Sequence, residues 1–168
     1  MRLEFLGTGG FHPNERRHTA CLMFPEIGLI FDAGTSAFRI PARLKTDSVD
    51  IYLSHAHLDR VAGLTFLLTP MLAGTLSVRL IGKPKTLNAV REHLLDRHLF
   101  PIEPPYEYIE LENEMEVGDK GRLTHVPLKH PGGSVGYRID WPDRSLAYIT
   151  DTVTDGSYTE FLQGVDVL

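Results

Sequence analysis

The sequence predicts a mixed α/β fold built of packed layers. Many short apolar runs end in turn residues, and a few helical stretches lie between them. No repeat, low-complexity tract or clear linker divides the chain. With 168 residues, 42% hydrophobic and 23% charged, it has the length and composition of one ordinary globular domain, read here as residues 1–168.

Met1–Gly7 sets Leu3 and Phe5 against charged neighbours, as a half-buried strand does. Gly7, Gly9 and Gly10 break it, and a polar loop follows. His18–Phe24 and Gly28–Asp32 read as strands around a Pro25–Gly28 turn. Thr35–Leu44 reads as helical until Pro41 interrupts it. Val49–Ser54 is a strand ending in a polar loop, and Gly63–Leu72 a short buried helix. Leu76–Ile81 is a strand and Lys85–His98 an amphipathic helix. Strands then dominate: Tyr106–Leu111, Gly121–Leu128, Val135–Trp141 and Ser145–Thr150. Ser157–Gln163 makes one or two helical turns. Val165–Leu168 starts another apolar run with no turn signal after it, so the fold is expected to be incomplete on its C-terminal side.

The net charge of −5 argues against a large sequence-independent grip on nucleic acid, because phosphate neutralisation needs a basic surface. A small phosphate-containing substrate stays open. A single cysteine, Cys21, allows no internal disulfide and fits a reducing compartment. No apolar run is long enough to span a membrane, and Met1-Arg2-Leu3-Glu4 lacks a signal-peptide pattern. A cytoplasmic protein without a membrane partner is expected.

The strongest chemical signal is S-H-A-H-L-D-R-V-A-G, Ser54 to Gly63. Histidines at i and i+2 leave a strand end on the same side, so the rings of His55 and His57 can converge on one cation. Neutral imidazole suits zinc, iron or manganese. Asp59 offers a hard oxygen ligand or a base beside the same spot. Zinc wants at least three protein ligands, with an open position for water where it is catalytic. L-K-H-P-G-G-S, Leu128 to Ser134, supplies His130 at another strand end, before residues that let the backbone turn sharply. Asp151, in A-Y-I-T-D-T, closes a further apolar strand. It is either a metal ligand or a turn cap before Thr152. The remaining candidates are weaker. His12 and His18 follow the early glycine loop, His93 and His98 fall on a surface helix, and His125 lies within a strand. Arg16 and Arg17 read as a solvated loop rather than an anion-binding rim.

H-x-H-x-D-x-x-G, a distant H-P-G-G-S and then I-T-D-T together resemble the metallo-β-lactamase superfamily. The opening L-G-T-G-G (Leu6 to Gly10) and L-I-F-D-A-G (Leu29 to Gly34) resemble its ribonuclease Z and phosphodiesterase branch. The resemblance covers almost the whole chain. It implies an αββα four-layer sandwich with metals at one edge. It implies that His55, His57 and His130 bind the first metal. Asp59 and Asp151 would belong to a second site, with Asp151 bridging. Asp32 would support the histidine loop from behind, besides capping the turn before Ala33 and Gly34. Homodimers are common in the branch, so a homodimer is left open.

Two departures matter. The family pattern reads H-x-H-x-D-H, and here the last position is Arg60. Arginine stays protonated and does not coordinate metals. The family also uses a later histidine near the C-terminal end of the fold; none follows His130 in these 168 residues, and whether residues beyond Leu168 supply it stays open. Two unit charges about 4 Å apart in a surface-like dielectric interact by about 4 kcal/mol, so a divalent ion facing Arg60 meets roughly 8 kcal/mol of repulsion. One tightly held ion, Zn²⁺ before Mn²⁺ or Fe, is therefore expected, with the second site weak or absent. Arg60 then pairs with Asp59 or grips an anionic substrate oxygen.

The expected activity is metal-dependent hydrolysis of a small phosphodiester, such as a cyclic nucleotide. A metal-activated water attacks, Asp59 orients it or takes its proton, and Arg60 stabilises the developing charge. RNA is disfavoured as a partner, because the chain is acidic and carries no inserted basic arm. Other readings stay open: a thioester, lactone or sulfate ester hydrolase on the same fold, or a non-catalytic relative that binds metal or nucleotide.

Overall fold

Two sheets carry the fold in the computed structural model, which describes residues 1–168. The chain divides into two units, Met1–Glu110 and Leu111–Leu168, each holding one sheet.

The first unit has six strands in sequence order: β1 (Glu4–Gly7), β2 (Cys21–Phe24), β3 (Leu29–Phe31), β4 (Ser48–Tyr52), β5 (Ser77–Gly82) and β6 (Glu107–Glu110). β1, β2 and β3 pair antiparallel, and β3 to β6 run parallel. β2 and β3 are buried at every residue. That explains their unbroken apolar runs, C-L-M-F and L-I-F, because a strand covered on both faces has no reason to alternate. The register sets Ile30 beside Ile51 and Ile51 beside Leu80, a fully buried row at the centre of the core. Parallel pairing sends the C-terminal ends of β3, β4 and β5 to one edge. Loops at that edge are where open α/β sheets bind ligands.

The expected helix over Gly63–Leu72 is instead broken into pieces. α1 (Leu58–Val61) runs into a 3₁₀ turn at Ala62–Phe66, and α2 (Leu68–Leu72) follows. The Gly63 amide donates to the Ala33 carbonyl at 2.9 Å, so this segment gives an intrahelical bond to its neighbour and winds tighter. The helix expected over Lys85–His98 also ends early. α3 (Pro84–Ala89) continues as a π turn at Val90–Leu94, and the Asp96 carboxylate then accepts the His98 amide at 2.8 Å. A side chain that competes for backbone amides ends a helix.

The second unit is an antiparallel meander of β7 (Glu114–Val117), β8 (Gly121–Leu128), β9 (Ser134–Trp141) and β10 (Arg144–Tyr148). β7 was not expected: its E-M-E-V lies between the strands read at Tyr106–Leu111 and Gly121–Leu128. It forms as an edge strand paired along β8. Asp119 and Lys120 in its hairpin both take positive φ, 62° and 61°, as a type I′ turn requires. Near the C-terminus, Val167 bridges Leu146 in parallel, and the Ala147 amide donates to the Val167 carbonyl at 2.8 Å. No helix in either unit is long and apolar enough to cross a membrane.

Candidate functional site

His55 and His57 follow directly on β4, at the edge where the parallel strands end. Their ring centroids lie 4.5 Å apart, at 78° to each other. His55 is buried, whereas His57 is exposed. The loop between them and the core is held from behind by Asp32. The Asp32 Oδ1 accepts the Ser54 amide at 2.8 Å, and its Oδ2 accepts the Ser54 hydroxyl at 2.8 Å. Asp32 is itself fully buried and sits at φ 58°, a strained conformation for a non-glycine residue. Strain of this kind persists where the surroundings over-determine it, which is common at functional sites.

Ser54 decides the chemistry of His55. Its Oγ lies 3.0 Å from His55 Nδ1. A hydroxyl has one proton, and here it goes to the Asp32 carboxylate, which accepts only. The Ser54 oxygen must then accept from His55, so Nδ1 carries the imidazole proton and Nε2 carries the lone pair. A histidine that donates one ring N–H to an outer partner presents the other nitrogen as a fixed, more basic ligand. Sequence reasoning had Asp32 in this supporting role but missed Ser54. The signal was present in the serine next to the first histidine, but reading it needs the proton balance.

Asp59 and Arg60 lie on the first turn of α1. Arg60 is 5% exposed, and its Nε lies 3.4 Å from Asp59 Oδ2. The backbone here is pinned on both sides. The Arg60 amide donates to the His57 carbonyl at 2.9 Å, and the Arg60 carbonyl accepts the Ala33 amide at 2.7 Å. Two glycines allow this close docking. A Cβ on Gly63 would sit 2.0 Å from the Gly34 carbonyl oxygen, and one on Gly34 would sit 2.5 Å from that of Asp59. Cys21 packs fully buried beneath this region, and burial, helped by the Asp32 charge, pushes its thiol pKa well above the ordinary value. It is an inert core residue.

In the second unit, His130 lies in the connection between β8 and β9, half-buried, with its carbonyl accepting the Gly133 amide at 2.8 Å. Gly132 and Gly133 take φ 85° and 87° to make that turn. Asp151 follows β10 at φ 45°, and the Thr150 hydroxyl donates to its Oδ2 at 3.2 Å. The Val153 amide donates to the Lys129 carbonyl at 3.2 Å, so the loops carrying His130 and Asp151 lie side by side.

The weaker candidates have contacts of their own. His18 sets Nδ1 3.1 Å from the Thr35 hydroxyl and packs edge-on to Phe38. Arg16 and Arg17 are exposed, with their amides on the Asn14 side chain. His12 is exposed with Nδ1 near the Pro13 carbonyl, and His98 is exposed beside Asp96. His93 is exposed in the π turn, and His125 is half-buried in β8.

A β-lactamase superfamily domain matches residues 29–168. Ribonuclease Z of Treponema pallidum is 31% identical over 158 residues, covering 86% of this chain and 50% of that protein. The chain spans about half the length of the curated relatives it matches. Among solved structures, the metallo-β-lactamase fold protein YhfI of Bacillus subtilis superposes with a TM-score of 0.74 at 18% identity. That match covers 98% of this chain and 68% of YhfI. The short form of human tRNase Z gives 0.73 at 18% identity, covering 98% of this chain and 76% of its own. At such low identity the structural likeness speaks for the fold alone. The family match reaches from β3 to Leu168, so the chain belongs to the metallo-β-lactamase superfamily, on its ribonuclease Z-like branch.

Proposed function

We propose that this chain carries the metal centre of a hydrolase acting on phosphodiesters. The observation that carries the reading is the Asp32–Ser54–His55 relay, which leaves a buried imidazole with its lone pair on Nε2 beside the ring of His57. The donor set is His55, His57 and His130, one ring nitrogen each. Three imidazoles fit zinc, and they accept manganese or iron. A divalent ion held there supplies Lewis acidity and a water acidic enough to ionise near neutral pH.

The chain's own residues do the rest. That residues 1–168 form one domain belongs to the same proposal. Asp59 takes the proton of the attacking water or orients it. Arg60 acts through Asp59, holding its carboxylate in place. Asp151 lies on the loop beside that of His130, and in this reading it is a further carboxylate of the centre. A phosphodiester is the favoured substrate because the relatives named as ribonuclease Z act on such bonds, and a small one suits a net charge of −5 better than folded RNA. Cytoplasmic location and a homodimer belong to the same reading.

The test measures metal content in protein purified without added metal, then hydrolysis of a panel of phosphodiesters, thioesters, lactones and sulfate esters. The expected result is bound zinc and phosphodiester turnover that His57→Ala abolishes. Turnover of another ester class instead moves the chain to a different hydrolase. Tight metal binding with no turnover on any member makes it a binding protein.

A further inference from the structure

We infer that the buried Arg60 guanidinium is a built-in cation that takes the place of a second metal ion beside Asp59. The inference rests on the three-histidine reading above and deepens it. The superfamily pattern puts a histidine at position 60, and that residue with Asp59 would serve a second ion. The residues present do not fit that ion. Arg60 has no lone pair to offer and keeps its proton at any working pH.

The geometry excludes the simple escape, in which the arginine swings into water. Arg60 is 5% exposed, and its backbone is fixed by the His57 carbonyl at 2.9 Å and the Ala33 amide at 2.7 Å. Its side chain is 6% exposed and that of Asp59 is 12% exposed, with Nε 3.4 Å from Oδ2. A charge buried so deeply must be paired, and removing one partner would strand the other. The Asp59 carboxylate is thus already neutralised by a covalently attached cation. A divalent ion approaching the same oxygen would meet like charge with little water to screen it. The centre is therefore mononuclear, and its Asp59 is held by the protein rather than by a metal.

The experiment counts zinc equivalents on the full chain by elemental analysis and by titration against a chromophoric chelator. Wild type is expected to hold one equivalent. Arg60→Lys keeps the charge and should also hold one, while Arg60→His removes it and adds a donor, so it should take up a second. Circular dichroism establishes that each variant is folded before counting. Two equivalents of similar affinity in wild type overturn the Arg60 assignment alone. A folded Arg60→His variant that still holds one also overturns it. No equivalent in wild type overturns the three-histidine reading and this inference with it.

Discussion

The two loops that carry the proposed ligands are built in opposite ways. The loop after β4 is docked backbone to backbone on residues 32–34, with no room for a Cβ at Gly34 or Gly63. The connection from β8 to β9 turns on glycines instead, and a Cβ on Gly133 would meet nothing within 4 Å. The first loop gets its precision from packing and the second from backbone conformation. The loop of His55 and His57, fixed by the core, and the loop of His130, set by a glycine turn, should therefore respond differently to substitution.

The largest difference is expected at the two glycines. Gly63→Ala would drive a Cβ into the carbonyl oxygens of Gly34 and Ala33 and into the Ala37 side chain. Backbone atoms cannot give way as side chains do, so a loss of about 3 kcal/mol in urea unfolding is expected. An unchanged midpoint would show that the loop is not docked as described. Metal removal comes next. A chelator should remove about 2.7 kcal/mol at ion concentrations near a hundred times Kd. Hydrogen exchange should then rise both at residues 53–60 and at residues 129–133. A response confined to the first segment would take His130 out of the ligand set.

Ser54→Ala tests the tautomer. It removes the acceptor of the His55 Nδ1 proton, and loss of such an outer partner weakens metal affinity by about 10- to 100-fold. Ser54→Thr keeps the hydroxyl and should retain affinity. Nitrogen NMR of His55 should show the proton on Nδ1 in wild type and a mixture in Ser54→Ala. The smallest effect is expected at Gly133→Ala, which has space but must hold φ 87°, a cost of about 1 kcal/mol. A loss as large as that of Gly63→Ala would erase the contrast between the loops.

Much of this was legible in the residues. H-x-H-x-D after an apolar strand and a distant H-P-G-G pointed to the superfamily, because few other folds need those side chains at that spacing. The boundaries of β8 matched the expected range at both ends, since Gly121 opens it directly after the turn and the Pro131–Gly133 run follows it. The acidic edge strand β7 was not legible, because its stability comes from ladder bonds to β8 rather than from its own side chains. The end of the Lys85–His98 helix was hidden for a related reason: Asp96 looks like any helix-surface acid until its carboxylate takes an amide.

By itself, the sequence determined the chemical inventory: three imidazoles, two carboxylates and an arginine where a ligand was expected. These are properties of side chains, and they survive any uncertainty about shape. Only the tertiary structure decided how the protons and charges are shared. It put Ser54 between Asp32 and His55, which chooses the tautomer, and it buried Arg60 against Asp59, which turns a stray cation into a fixed counter-charge. Hydrogen-bond direction and burial depend on which atoms meet across long stretches of chain, and no local pattern encodes that.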